Sequence, residues 1–282
     1  MLVSRRKENG MHLTVRNCLV ALGMLVTLSA CSESGDSINV ITREEGSGTR
    51  EAFQKIVNLE DPVQEALIQN GTDQIISYVA DDPYGIGYIS LGSLNDMVKA
   101  AKVDGVSPSE ETIMNGSYKI SRPFVLVYRE GLKEAAQDFY DFIFSKEGQD
   151  LVKKAGYVPV KQDAPSYHVK EISGTVNISG STSVGPLMEQ LKEAYEQLNS
   201  NAQIDITQNG SSAGITGATQ GTNDFGMSSR ELTENEKDVT GVVMALDGIV
   251  VILNKENPLD DVSLSTIRDI YSGKLLNWKE IQ

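Results

Sequence analysis

The chain has 282 residues, a formal net charge of −14 and a sequence pI near 4.6. An acidic protein is repelled by phosphate backbones and anionic lipid headgroups, so nucleic acid and anionic lipid surfaces are poor partners. The two cysteines, Cys18 and Cys31, both lie near the N-terminus, which excludes a disulfide or thiolate metal site in the rest of the chain. That remainder is long enough for a hydrophobic core, which at this size usually divides into two lobes.

The N-terminal residues 1–30 predict a bacterial lipoprotein signal peptide. Basic residues precede an apolar run at 18–28 that is too short to span a bilayer stably. The following Leu28-Ser29-Ala30-Cys31 resembles a lipobox, in which the cysteine is lipidated and becomes the first mature residue. We therefore expect a lipid anchor on Cys31, a spacer over 31–37 and an extracytoplasmic protein at the cell membrane. The alternative is an ordinary signal peptide with a coincidental cysteine.

The first candidate site lies between a predicted strand at 38–42 and a predicted helix at 50–57. The loop at 43–49 reads Arg-Glu-Glu-Gly-Ser-Gly-Thr and contains Arg43, Ser47, Gly48 and Thr49. It offers a guanidinium, two hydroxyls and backbone N–H groups that an anion can approach. Because a helix N-terminus also favours negative charge, this segment predicts an oxyanion site. The alternative is a simple helix cap from Ser47 or Thr49.

Two later segments repeat this strand, hydroxyl loop and helix pattern. A predicted strand at 176–178 runs into Ser181, Thr182 and Ser183, and Pro186 stands where a helix would begin. A strand at 204–207 leads into Asn-Gly-Ser-Ser-Ala-Gly at 209–214, which precedes a weak helix. Three hydroxyl-rich helix starts predict one oxyanion that several N-termini bind together.

The rest of the chain alternates between predicted strands and helices, which indicates an α/β fold. Strands are expected at 85–91, 123–129 and 242–254, the last of which buries Asp247. Helices are expected at 93–101, at 133–155 with a break at Gly148, and at 263–272. The polar segment 161–173 is the best candidate for a linker. No repeat of fixed length is found.

Four motifs together resemble the phosphate-binding proteins of bacterial phosphate ABC transporters. They are Arg43-x-x-Gly46-Ser47-Gly48-Thr49, Gly180-Ser181-Thr182-Ser183, Asn209-Gly210-Ser211-Ser212-Ala213-Gly214 and Asp224-Phe225-Gly226-Met227-Ser228-Ser229-Arg230. The resemblance extends over residues 38–282. It implies an α/β, two-lobed periplasmic-binding-protein type II clamp with the ligand cleft between the lobes. It also implies inorganic phosphate and ABC permease subunits as partners, no cofactor and no catalysis.

The resemblance further implies a set of site residues. The expected phosphate ligands are Arg43, Ser47, Gly48, Thr49, Thr182, Ser183 and Ser211, with Ser229 beside them. Glu45 matches a family carboxylate that orients the arginine. Ser229 stands where many members have an aspartate that accepts a proton from phosphate, so Asp247, Glu45 or a serine would have to accept that hydrogen bond here.

The order of the two halves departs from the usual family order. The half with the 180–183 motif normally comes first, whereas here it comes second, so the chain resembles a circular permutation. One lobe is expected at 122–246, the other at 38–121 plus 247–282, and 161–173 would bridge the original termini. An assembly artefact or two truncated tandem copies are the alternatives.

The sequence lacks the residues that two common classes of enzyme would need. A P-loop needs a lysine that is absent after the glycines at 180–185, where Pro186 follows. The two histidines lie in the signal peptide and the predicted linker, so a serine hydrolase lacks a base. We therefore predict a binding protein and not an enzyme. The alternatives are a surface or sensor module with this fold, or a binder of another tetrahedral oxyanion such as sulfate.

Overall fold

A computed structural model describes residues 36–281 of the chain. The predicted signal peptide and the lipidation candidate Cys31 lie outside the described residues. Across 36–281, none of the helices combines the length and the apolar character needed to cross a membrane.

The first α/β unit, here called unit A, occupies residues 39–90. Its elements are β1 (Asn39–Arg43), α1 (Gly48–Val57), β2 (Leu67–Gln69), α2 (Thr72–Asp81) and β3 (Gly85–Ser90). Strand β1 lies in the middle and pairs in parallel with both β2 and β3. Helix α1 buries Phe53, whose ring stacks on Tyr88 of β3 with centroids 4.0 Å apart. This packing fixes the start of α1 next to the end of β1.

A connecting region follows unit A. Its elements are a 3-10 helix (Leu91–Ser93), β4 (Lys99–Ala100), β5 (Lys102–Val103), α3 (Glu110–Met114), β6 (Ser121–Tyr128), α4 (Glu134–Ile143), α5 (Lys146–Lys154) and β7 (Val158–Pro159). The segment 161–173 contains no helix or strand, as expected. It is held down where the Tyr167 hydroxyl and the Lys170 ammonium bind the buried carboxylate of Asp138.

Two predictions in this region are wrong. The helix expected at 93–101 is a short 3-10 turn followed by β4, because Lys99 and Ala100 pair with the end of a long strand described below. The helix break expected at Gly148 falls earlier, at Ser145, whose hydroxyl caps α5 by accepting from the Gly148 N–H. Gly148 is instead a contact glycine, since a Cβ there would lie 2.2 Å from the Phe142 carbonyl oxygen.

A second unit, here called unit B, repeats the arrangement of unit A. Its elements are β8 (Gly174–Gly180), α6 (Gly185–Leu198), β9 (Ala202–Gln208), α7 (Ser211–Gln220) and β10 (Phe225–Ser228). Strand β8 pairs in parallel with β9 and β10, just as β1 does with β2 and β3. The sequence shows no repeat of fixed length, but the topology of the two units is repeated. The first helix has 10 residues in unit A and 14 in unit B, which hides the repeat from a search for fixed spacing.

The chain ends with β11 (Thr240–Leu253), β12 (Asp261–Val262), α8 (Leu264–Tyr271) and a 3-10 helix (Trp278–Glu280). Strand β11 joins the units, because its first part pairs with β6 and its last part with β3. The resulting sheet has the order β2-β1-β3-β11-β6-β10-β8-β9. Buried side chains form one large cluster around Phe53 and Tyr271 and another around Phe139 and Tyr195. The architecture is α/β, as predicted, and the lobe limits at 121/122 and 246/247 stay predictions.

Candidate functional site

Arg43, the last residue of β1, points its guanidinium toward unit B although its side chain is only 2% exposed. Its Nε and Nη2 donate to the two carboxylate oxygens of Glu44, each at 2.7 Å. Nη2 also donates to the Thr182 hydroxyl at 3.0 Å. A paired guanidinium fixed in this way presents its donors in a defined plane, which suits the recognition of an oxyanion.

The carboxylate that orients Arg43 is Glu44 and not the predicted Glu45, which is exposed. Glu44 also accepts from the Gly71 N–H at 3.2 Å, so it links Arg43 to the start of α2. Burial by itself raises the pKa of Glu44, but the hydrogen bonds and charge of Arg43 outweigh it and hold the pKa below its ordinary value. The correction has a geometric reason: Glu44 directly follows the end of β1 and faces inward, whereas Glu45 lies at the outer turn.

Six hydroxyl side chains form a continuous row beside Arg43, here called the hydroxyl belt. In order along the row, they are Thr182, Thr72, Ser183, Thr49, Ser229 and Ser211. The oxygen separations along the row are 3.3, 3.4, 2.9, 3.5 and 3.2 Å. Thr182 is half-buried and the others are buried. The belt therefore brings together Thr49, Thr182, Ser183, Ser211 and Ser229, as predicted from separate motifs.

Four helix N-termini place four of these six hydroxyls. Thr49 lies in the first turn of α1, Ser211 begins α7, and Ser183 lies in the loop before α6. The fourth is α2, which begins at Thr72. Partial positive charge at each N-terminus favours a bound anion.

Ser47 and Gly48 have different roles within the first loop. The Ser47 hydroxyl caps α1 by accepting from the Arg50 N–H, so the simple capping interpretation applies to this side chain. Gly48 allows the units to approach, because a Cβ there would lie 2.4 Å from the Ser211 hydroxyl oxygen and 2.8 Å from that of Ser229. At the same contact, the Ser212 N–H donates to the Gly46 carbonyl oxygen at 3.1 Å. The predicted loop therefore provides side chains for the site and also a backbone that packs closely against unit B.

Asp247 lies behind the belt. One of its oxygens accepts from the Ser90 hydroxyl and the Leu91 N–H, and the other accepts from Arg122 Nε and Nη2 at 3.1 and 3.0 Å. Burial raises the pKa of Asp247 to about 6, although the Arg122 charge opposes the shift. Arg122 in turn donates to the Ser229 carbonyl oxygen at 3.3 Å. Asp247 thus reaches the belt through Arg122, so it is not placed to accept the ligand's proton directly, as one of the three alternatives required.

A second ion pair lies at the rim of the site and connects unit A to the end of unit B. Arg230 follows β10, and its Nε lies 2.6 Å from a carboxylate oxygen of Glu51 on α1. Glu236 binds the same guanidinium at 2.8 Å through each of its oxygens. The contacts raise the pKa of Arg230 and keep it charged.

The sequence interpretation missed Glu44, Thr72 and Arg122. Glu44 and Glu45 are adjacent, and the sequence pattern pointed to Glu45. Arg122 gives no local signal, because its partner Asp247 is distant in the chain. Thr72 did carry a signal. It follows Gln-Asn-Gly at 69–71, the same three residues that precede Ser211 at 208–210.

The chemistry of the site suits a small oxyanion. A guanidinium and backbone N–H groups only donate hydrogen bonds, whereas each hydroxyl can donate or accept. A ligand with several acceptor oxygens and one proton can therefore satisfy all of these groups. Among the described residues, no group of three or more His, Cys, Asp or Glu could hold a metal ion.

Comparisons with known proteins identify the family. The model of the PBP superfamily domain matches residues 32–147 and 165–282. Phosphate-binding protein PstS 2 of Streptococcus agalactiae is 43% identical over 291 residues, which cover 98% of this chain and 99% of that protein. The Streptococcus pneumoniae protein of the same name is 44% identical over 274 residues, 94% of each chain. Because these matches run through nearly the whole of each chain, the order of the halves is shared with both relatives, which argues against an assembly artefact.

A solved structure agrees with the sequence matches. The crystal structure of a phosphate-binding protein of a phosphate ABC transporter from Streptococcus pneumoniae has a TM-score of 0.72 and 44% identity. The match covers 87% of this chain and all of that one. The fold is therefore the two-lobed periplasmic-binding-protein clamp that was expected, and the chain belongs to the PstS family of phosphate-binding proteins, within the PBP superfamily.

Proposed function

We propose that this protein captures inorganic phosphate outside the cytoplasm and delivers it to an ABC importer. The observation that carries the proposal is the hydroxyl belt beside the oriented guanidinium of Arg43, which the fold assembles from two α/β units. The names of the full-length relatives support phosphate as the ligand. Binding is the whole function proposed, with no catalytic step.

The proposed contacts divide by chemistry. Arg43 donates two charged hydrogen bonds, and the N–H groups at the starts of α1 and α7 donate from the backbone. The hydroxyls of Thr49, Thr182, Ser183 and Ser211 donate from the sides. Ser229 is the proposed acceptor of the phosphate proton, because its hydroxyl lies in the belt and no free carboxylate does. Glu44 supports the site by orienting Arg43.

The lipid anchor on Cys31 and delivery to permease subunits complete the proposal. Membrane fractionation should place the wild-type protein with the envelope and Cys31→Ser in the soluble pool. Equal distribution of the two would reject the anchor.

The ligand is tested by calorimetry on residues 32–282 after bound phosphate has been stripped. One phosphate should bind per chain, and excess phosphate should raise the melting temperature, because a ligand that binds only the folded state stabilises it. Sulfate at the same concentration serves as the comparison for the oxyanion alternative. Absence of heat and of a thermal shift with phosphate would reject the proposal, and a larger shift with sulfate would identify sulfate as the ligand.

A further inference from the structure

Thr72 begins α2 at a place that the repeat of the two units makes equivalent to Ser211. Strands β1 and β2 pair in register with Arg43 opposite Gln69, and β8 and β9 pair with Gly180 opposite Gln208. Gln69 and Gln208 are the last residues of β2 and β9, and each is followed by Asn and Gly. A helix then begins, and its first residue carries a hydroxyl. The two segments therefore share both sequence and topology.

The backbone of the two segments also agrees. Gly71 has φ 94° and ψ 167°, and Gly210 has φ 97° and ψ 153°. Both glycines precede their helix without any side-chain cap, so the first N–H groups of α2 and α7 remain without a capping side chain. The positive φ values are readily adopted only by glycine. The same local structure thus presents Thr72 and Ser211 from opposite units.

The side chain of Thr72 lies inside the proposed site. It is 3% exposed, and its hydroxyl oxygen lies 3.3 Å from that of Thr182 and 3.4 Å from that of Ser183. Its neighbour Gly71 donates to Glu44, the carboxylate that orients Arg43. Every side chain within hydrogen-bond distance of the Thr72 hydroxyl is a proposed phosphate ligand.

We infer that Thr72 is itself a phosphate ligand, whose hydroxyl donates a hydrogen bond to the bound anion. It is the unit A counterpart of Ser211 in unit B. The inference rests on the proposed function, since it assigns one more contact in the same site. In the bound state, the Thr72 hydroxyl turns from its neighbours to a phosphate oxygen. The N-terminus of α2 then contributes to the anion site from unit A, as α7 does from unit B.

Thr72→Val tests the contact, because valine keeps the shape of threonine and removes the hydroxyl. Loss of one hydrogen bond from a hydroxyl to a buried anion should weaken phosphate binding by about 5- to 100-fold, as measured by calorimetry. Thr72→Ser should restore most of the affinity. The matched control is Thr219→Val at the far end of α7, whose hydroxyl bonds only to the Ile215 carbonyl oxygen and should leave affinity unchanged. Melting curves without ligand verify that the variants are folded.

A double-mutant cycle separates contact from positioning. In both the Thr182→Val and the Ser183→Ala background, Thr72→Val should still weaken binding several-fold. If the loss disappears in either background, Thr72 acts only by holding that neighbour, and the inference is overturned. Equal affinity of Thr72→Val and wild type also overturns it while leaving the proposed function intact. A wild-type protein that binds no phosphate instead rejects the proposed function.

Discussion

Units A and B supply matching loops to one site but different chemistry. By register, Arg43 at the end of β1 corresponds to Gly180 at the end of β8, and four residues separate each from its helix. Unit A therefore contributes the charge of Arg43 as well as the hydroxyls of Thr49 and Thr72, whereas unit B contributes hydroxyls without a charge. The reason is visible at Gly180, where φ is 142° and a Cβ would lie 2.2 Å from the Met227 carbonyl oxygen. No side chain fits there, so the repeated scaffold can hold an arginine on one side only.

The largest expected effect concerns protein stability and the buried ion pair between Asp247 on β11 and Arg122 on β6, the two strands that link the units in the sheet. Asp247→Asn removes the charge that compensates Arg122, and breaking such a buried pair typically destabilises a protein by about 3–5 kcal/mol. Because Asp247 touches no belt hydroxyl, the preference for phosphate over sulfate should persist. Thermal unfolding with competition calorimetry measures both quantities. A narrowed preference at an unchanged melting temperature would instead place Asp247 in the site.

The charge difference between the units is tested at Arg43. Arg43→Ala should weaken phosphate binding by about 2–4 kcal/mol, since charged hydrogen bonds in a buried site are the strong ones. Arg43→Lys should recover only part of this, because an ammonium cannot reproduce the planar fork. The exposed Arg129 offers a control of the same type, and Arg129→Ala should bind as wild type does. Full affinity of Arg43→Ala would place the charged contact elsewhere.

The first helical glycines offer a matched pair of substitutions. Gly48→Ala forces a methyl group against the buried hydroxyls of Ser211 and Ser229 and should cost about 1–3 kcal/mol of stability, with weaker phosphate binding. The three atoms nearest to a Cβ at Gly185 all belong to the end of the exposed, flexible side chain of Gln208, so Gly185→Ala should be nearly neutral. Chemical denaturation and calorimetry on both variants check the contrast. Equal effects would show that the two helix starts are not packed differently.

Glu44 should give the smallest effect and a characteristic pH dependence. Its folded pKa lies below the unfolded value of 4.5, so it adds stability above that pH and the contribution disappears as the pH falls. Glu44→Gln should therefore be less stable than wild type by about 1 kcal/mol near pH 7, and the difference should shrink below pH 4.5. Glu45→Gln is the control and should show no difference at either pH. Chemical denaturation between pH 3.5 and 7 measures the free energy of unfolding of each variant. A difference between wild type and Glu44→Gln that does not change with pH would exclude Glu44 as the ionised partner of Arg43.

The individual loops could be recognised from the sequence because each follows local rules. Hydroxyls and glycines between a β-branched run and an amphipathic run predict an anion site whatever surrounds them. The local rules failed where tertiary contacts decide the outcome. The helix expected at 93–101 is replaced by a 3-10 turn and β4, because β4 pairs with β11. Gly148 lies within α5 because Ser145 caps that helix three residues earlier.

The sequence by itself determined the α/β class, the hydroxyl-rich helix starts and the single arginine among them, since these depend on residue type and short spacing. Only the tertiary structure decided which of these groups meet. Glu44, and not Glu45, pairs with Arg43 because of the direction of the chain at the end of β1. The contacts of Asp247 with Arg122 and of Thr72 with Thr182 join residues that are remote in the chain. Side-chain direction at such points follows from packing between the units, and no local pattern encodes it.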